Sequence, residues 1–293
     1  KKSLRVLSNG CSTTNHNINQ SIFFIFVDKL VKMKISLNNR KALVGGSTSG
    51  IGKAIAQQLV ASGASVTLMA RNENKLKAMI SELPTNEGQH HQYLVVDFND
   101  FPAYQKIITD YFKNNSVDIL INNTQGPTAG GAMEKSVTDY QQAFDLLFKT
   151  VAFTTELALP QMIKNKWGRI INVASVSVKE PLSYLALSNT IRAAVTTWAK
   201  TLATDVAQHQ ITVNNILTGY FDTERIHSLN ETKAKQTGVS VSEVKANLEN
   251  QVPMKRIGDP KEYGYLATFL ASDQAAYLTG TNIPLDGGLL KSL

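Results

Sequence analysis

The segment Lys41-Ala42-Leu43-Val44-Gly45-Gly46-Ser47-Thr48-Ser49-Gly50-Ile51-Gly52 passes from an apolar run, through a cluster of glycines, into a helical pattern. Ala42-Leu43-Val44 reads as a first strand. Glycines after it let the chain turn tightly and let backbone N–H groups approach a pyrophosphate closely. A helix starting at Gly50 then directs the positive end of its dipole at the same place. A glycine cluster alone is only a flexible turn, but strand, turn and helix in this order specify a dinucleotide-binding unit. Gly46, Ser47, Ser49, Gly50, Ile51 and Gly52 are expected around the phosphates.

Moving outward, a second strand over 65–69 runs into Ala70-Arg71-Asn72. A carboxylate about 20 residues past the glycines would accept a hydrogen bond from the ribose 2′-hydroxyl of NAD. Here Ala70 and Arg71 stand instead, and a guanidinium pairs with a 2′-phosphate. The expected cofactor is therefore NADP (NADPH), with Arg71 on its 2′-phosphate; the plainer alternative makes Arg71 a solvated residue beside a helix cap.

The same alternation continues to the end of the chain. Strands are expected over 42–44, 65–69, 93–96, 119–121, 169–173, 212–216 and 282–285, with helical stretches between them such as 50–62, 73–83, 101–112 and 187–202. In the last of these Leu187, Ile191, Ala194, Val195, Trp198 and Leu202 recur at three- and four-residue spacing, one helix face. Strand–helix alternation builds a parallel sheet covered on both faces. The expected fold is α/β, a Rossmann-type doubly wound parallel sheet of seven strands in one domain over 33–293. Residues 223–255 form a long polar insertion after a strand's carboxyl end, a place that suits a lid over a ligand crevice.

Composition narrows the function. Hydrophobic residues make up 43% and charged residues 18%, enough for a sizeable core. The single cysteine, Cys11, excludes an intrachain disulfide framework and a cysteine-rich zinc site, and suits a reducing, cytoplasmic location. No H-E-x-x-H spacing occurs among the five histidines, so no metal site is expected. The net charge of +7 is concentrated in residues 1–32, where Lys1, Lys2, Arg5, Lys29 and Lys32 face Asp28 alone. No basic stripe remains for nucleic acid. The apolar run at 22–27 is far shorter than the ~18–20 residues a membrane span needs, so no membrane association is expected. Residues 1–32 read as a disordered or mis-annotated extension. An organelle-targeting peptide is the alternative, because the stretch is basic and acid-poor, though it has one arginine.

From about Met33 onward the chain resembles the short-chain dehydrogenase/reductase family. The Gly46-x3-Gly50-x-Gly52 spacing, Val96-Asp97-Phe98, Asn122-Asn123, the strand Ile170-Ile171-Asn172-Val173-Ala174-Ser175, Val213-Asn214-Asn215 and Leu285-Asp286-Gly287-Gly288 carry the resemblance. Its wording is most similar to proteins labelled 3-oxoacyl-[acyl-carrier-protein] reductase. The resemblance implies that Asp97, Phe98, Asn123, Arg192 and Thr223 join the turn residues on the cofactor. It also implies a small-molecule or acyl-thioester substrate and a homodimer or homotetramer, with the 187–202 helix contributing to contacts.

The same resemblance exposes departures. Family members use a serine, a tyrosine, a lysine four residues on, and an asparagine on an earlier helix. Ser175 matches the serine, but Ser188, Arg192 and Leu147 stand at the other three positions, Thr124-Gln125 replace Ala-Gly, and Thr218 replaces a proline. A serine hydroxyl is a far weaker acid than a phenol of pKa about 10, and a guanidinium does not shuttle protons. Tyr184, four residues before Ser188, is a candidate relocated proton donor if the helix extends that far and both share a face. Its plain alternative is a tyrosine packed at a helix start. Ser175, Tyr184, Ser188 and Arg192 are the candidate catalytic residues. Two functions are expected: an NADP-dependent oxidoreductase acting on a carbonyl or alcohol with a non-standard active site, or an NADP-binding protein with little turnover that serves as a regulatory or structural partner.

Overall fold

The computed structural model describes residues 34–86 and 88–292; the expectations for residues 1–32 lie outside the described residues. Seven strands appear: β1 (Lys41–Gly45), β2 (Ser65–Ala70), β3 (Gln92–Val95), β4 (Ile119–Asn122), β5 (Gly168–Val173), β6 (Ile211–Thr218) and β7 (Asn282–Leu285). They form one sheet in the order β3-β2-β1-β4-β5-β6-β7, and every neighbouring pair is parallel. The strands expected from sequence are the observed ones to within one or two residues at each end.

The connecting helices are α1 (Gly50–Ala61), α2 (Glu73–Glu82), α3 (Phe101–Asn114), α4 (Val137–Phe144), α5 (Thr150–Asn165), α6 (Ala186–Val206), α7 (Glu224–Thr237), α8 (Val241–Gln251) and α9 (Pro260–Leu270). A π-helical turn, Asp145–Lys149, joins α4 to α5. Successive strand residues face opposite sides of the sheet, so one strand feeds two cores. Ala42 and Val44 of β1 pack with Ile55 and Leu59 of α1 and Tyr263 and Leu270 of α9. Leu43 packs on the other face with Tyr104 and Ile108 of α3, Met162 of α5 and Ile191 of α6. Burial on both faces explains why the strands read as nearly continuous apolar runs.

One row of the sheet breaks that rule. Asn122, Asn172, Asn215 and Asn282 are register partners across β4 to β7. Their amides are linked head to tail, Asn122 to Asn172, Asn172 to Asn215 and Asn215 to Asn282, each at 2.8 Å. An amide both donates and accepts, so a row of asparagines satisfies itself where water is excluded.

The strand order reverses between β1 and β4. The connections leave in opposite directions there, and a crevice opens at the carboxyl ends of the strands. The loops after β1, β4, β5 and β6 all end at this point.

Candidate active site

The crevice has a volume of about 720 Å³, and its walls come from those loops, from the segments after β2 and β3, and from the starts of α6 and α7. At one end the glycine turn is backbone packed on backbone. Gly46 has φ 54°, in the left-handed region that a side chain disfavours. A Cβ on Gly52 would lie 2.1 Å from the Gly46 carbonyl oxygen, so a side chain there would open the turn. Ser49 occupies the cap position of α1 without a side-chain cap bond, and the first turn of α1 holds no acid. The N–H groups of that turn are thus available to an anion in the crevice. This cradle fits a dinucleotide pyrophosphate.

Two expectations at this end need correcting. Ser47 does not line the crevice: it is fully buried, and both its N–H and its hydroxyl donate to the Met69 carbonyl, at 3.2 and 3.3 Å. Thr48 lines the wall in its place. Asp97 also stays off the wall; its carboxylate accepts from the backbone and side-chain nitrogens of Asn99, at 2.9 and 3.1 Å. The neighbouring Phe98 is buried and does line the crevice. The match at Asp97 located the right loop, but a local Asx turn claims its oxygen.

Other residues expected at the cofactor lie at the crevice. Asn123 donates from Nδ2 to the Gly45 carbonyl at 2.9 Å, which ties the end of β4 to the glycine turn. Arg71 is exposed on the crevice wall, and no carboxylate pairs with it among the described residues. Beside it Asn72, not Arg71, caps α2 by accepting from Lys75 N at 3.0 Å. Thr223 caps α7, and its Cγ2 would lie 3.0 Å from a Cβ on Gly50. The start of the 223–255 segment therefore sits over the phosphate turn. The segment holds two helices, α7 and α8.

At the other end Ser175 lines the wall, with its Oγ accepting from Ser177 N at 3.1 Å. Ser188 is buried in the first turn of α6. Arg192, one turn further on, is half-buried and donates from Nη1 to the Val173 carbonyl. Burial lowers its pKa from the ordinary arginine value. Leu147 stands in the π-helical turn and borders a small cavity, about 10 Å³, with Asn122, Asn172 and Arg192. An aliphatic side chain there offers no group to hold a relay water.

Tyr184 reaches the crevice by a different route from the one expected. Helix α6 begins at Ala186 with Leu185 as its cap, so Tyr184 lies outside the helix and shares no helical face with Ser188. It is held by tertiary contacts. Its carbonyl accepts from Gly130 N at 2.7 Å, and Ala186 N donates to the Gly130 carbonyl at 3.1 Å. The Tyr184 phenol lines the crevice within hydrogen-bonding reach of Tyr220, in the loop after β6. Burial pushes the pKa of both phenols up.

Tyr220 and Arg225 were not singled out from the sequence. Each follows β6 closely at its carboxyl end, and that position is the signal that could have found them. Arg225, the second residue of α7, donates from Nη2 to the Pro127 carbonyl at 3.0 Å. Among the described residues no group of three His, Cys, Asp or Glu side chains could hold a metal ion, and no helix is long and apolar enough to cross a membrane.

This geometry has close parallels. A family model described as enoyl-(acyl carrier protein) reductase matches residues 46–290. The NADPH-dependent reductase BacG of Bacillus subtilis (strain 168) is 31% identical over 264 residues, covering 88% of this chain and all of the relative. The 3-oxoacyl-[acyl-carrier-protein] reductase FabG of Aquifex aeolicus (strain VF5) is 28% identical over 258 residues, again covering 88% of this chain and all of the relative. The crystal structure of L-sorbose reductase from Gluconobacter frateurii, complexed with NADPH and L-sorbose, superposes with a TM-score of 0.83 at 28% identity, covering 89% of this chain and 100% of that one. With one match running from the glycine turn past the last strand, and with relatives spanned over their whole length, this chain belongs to the short-chain dehydrogenase/reductase family of NAD(P)-dependent oxidoreductases.

Proposed function

We propose that this protein is an NADPH-dependent reductase that converts a carbonyl to an alcohol, with Tyr184 as proton donor in place of the family tyrosine. One observation carries the reading: the phenol of Tyr184 and the hydroxyl of Ser175 line the same crevice as the glycine turn and an unpaired Arg71. The relatives named for NADPH support the choice of cofactor. Bound NADPH supplies a hydride to the carbonyl carbon. The chain's own groups do the rest. Ser175 donates a hydrogen bond to the carbonyl oxygen, and Tyr184 gives that oxygen its proton as the hydride arrives. Tyr220 returns a proton to Tyr184 and is itself reprotonated from water. Arg192 binds the nicotinamide ribose hydroxyls as a fixed cation, while Ser188 fills the space behind it. Because burial raises the Tyr184 pKa, the donor is in its protonated form throughout the neutral range.

Residues 33–293 act as the working domain in this reading, and 223–255 close over the bound substrate. The substrate is a small carbonyl compound or an acyl thioester, as for the 3-oxoacyl-[acyl-carrier-protein] reductases. The protein works in the cytoplasm as a homodimer or homotetramer whose contacts include α6. A specific observation favours a second reading, a cofactor-binding protein with little turnover: Ser188, Arg192 and Leu147 hold three positions at which relatives place reacting groups. NADPH oxidation measured against 3-oxoacyl thioesters, oxo acids, ketones and aldehydes, beside an active relative, separates the two. Carbonyl-dependent oxidation is expected; stoichiometric NADPH binding with no oxidation on any substrate would establish the second reading.

A further inference from the structure

The crevice carries more positive charge than its cofactor accounts for. Arg71, Lys75, Arg192 and Arg225 all line it, and the one carboxylate on its wall, Glu224, is already within 4.0 Å of Lys75. The 2′-phosphate falls to Arg71 and the pyrophosphate to the glycine turn and the uncapped start of α1. Arg192, assigned above to neutral ribose hydroxyls, and Arg225 keep charges that no phosphate of the cofactor answers, and no acid pairs with either among the described residues. Burial disfavours the charge on both, and the charge of Arg225 adds to the effect on Arg192. Two cations on one crevice wall without a counter-ion make a site that gains from an anion.

Position tells which molecule supplies that anion. Thr223 is the residue of α7 that lies over Gly50 and the phosphate turn. Arg225 points elsewhere, beside Gly126 and onto the Pro127 carbonyl. That loop continues to Gly130, the residue that pins Tyr184. The guanidinium therefore borders the space between Tyr184 and α7. The crevice lining also carries the aliphatic side chains Leu182, Leu185, Ile226 and Leu229, beside the polar Thr124 and Gln125.

We propose that Arg225 is the anchor for a carboxylate on the substrate, so that the enzyme acts on an oxo acid with an aliphatic chain rather than on a neutral ketone or aldehyde. The assignment rests on the reductase reading given above, and the test keeps the two apart. Hexanoate and hexanamide have the same chain and differ in charge; each is titrated by calorimetry into the full-length protein loaded with NADPH. Native protein should bind hexanoate roughly 10- to 150-fold more tightly than hexanamide, the range of a charge-assisted contact. Arg225→Gln should bring the two ligands to equal affinity, and Arg225→Lys should keep part of the difference, while NADPH affinity stays put in both. A linear oxo acid should correspondingly be reduced with a higher kcat/KM than its amide, and that ratio should collapse in Arg225→Gln. Equal binding of hexanoate and hexanamide by the native protein would overturn the proposal. So would a loss of NADPH affinity in Arg225→Gln as large as the loss for hexanoate, which would give the guanidinium to the cofactor pyrophosphate. Selective hexanoate binding that depends on Arg225, with no carbonyl compound reduced, would instead leave the anion site standing and remove the reductase reading.

Discussion

The two ends of the crevice are built on different principles. At the cofactor end, β1 and α1 present backbone. Gly46 supplies a left-handed turn, Gly52 supplies the absence of a side chain, and the first turn of α1 supplies free N–H groups. At the other end, the hydride end of the proposed reaction, polar and charged side chains line the crevice: Ser175, Tyr184, Ser188, Arg192, Tyr220 and Arg225. Backbone donors belong to every residue, so the phosphate turn tolerates change at any position except its glycines. A proton donor belongs to one residue, so a substitution moves it or abolishes it. The glycine spacing is intact here, while Ser188, Arg192 and Leu147 stand where the resemblance to the family implies a tyrosine, a lysine and an asparagine, which is what that asymmetry permits.

The sharpest way to break this comparison is at Tyr184. If the donor has moved to the loop before α6, Tyr184→Phe should lower kcat by roughly 10²- to 10⁴-fold, the usual worth of a general acid, and leave NADPH affinity unchanged. Tyr184 must carry its proton to act, and burial raises its pKa above the ordinary phenol value. Activity should then hold through the neutral range and be lost only as pH rises beyond about 10. Stopped-flow NADPH oxidation across pH reads both. Reductase activity that survives Tyr184→Phe would show that the hydride end does not depend on this phenol.

The cofactor end is tested by charge. Arg71→Ala should remove most of the preference for NADPH over NADH, about 5- to 150-fold, with NADH affinity little changed. Fluorescence titration with the two nucleotides measures it. Equal affinities in the native protein would mean that Arg71 is only a solvated neighbour of the Asn72 cap.

How much of this was legible beforehand follows the same divide. The strands, the glycine turn and Arg71 were readable because they depend on local spacing and on residues that sit where the chain puts them. Ser47 was misread because a hydroxyl's direction is set by the next contact: Ser47 turns under β2 to the Met69 carbonyl, and Thr48 faces out. Tyr184 was read as sharing a helix face with Ser188 if the helix extended that far; the helix starts two residues later, and Tyr184 is held instead by Gly130, more than fifty residues away in sequence. Arg225 and Pro127, likewise, are joined only by the fold. Local pattern finds elements, and tertiary pairing finds sites.

The smallest effect concerns the support of the hydride end. Arg256 pairs with Glu262 through two contacts of 2.7 Å, and Glu262 also accepts from Asp259 N at 2.8 Å at the start of α9. Between them lies Gly258, whose N–H donates to the Tyr220 carbonyl and whose own carbonyl accepts from Asp222 N. The pair therefore braces the loop that carries Tyr220. The Arg256 guanidinium is the main cause that holds the Glu262 pKa down at about 2, against an ordinary 4.5. The lowered value means that the unfolded chain takes up its proton first. The stabilisation is complete above about pH 4.5 and is lost as pH falls towards 2. Both side chains are substantially exposed, so solvent screening limits the contribution of Glu262 to between a few tenths and about 1 kcal/mol. Glu262→Gln should lower stability by that amount at pH 7 and flatten the acid limb of the denaturation profile between pH 4.5 and 2, measured by urea unfolding at each pH. An unchanged acid limb would mean that the bracing comes from the backbone bonds of Gly258 alone. The hydride end would then be supported, like the cofactor end, by its main chain.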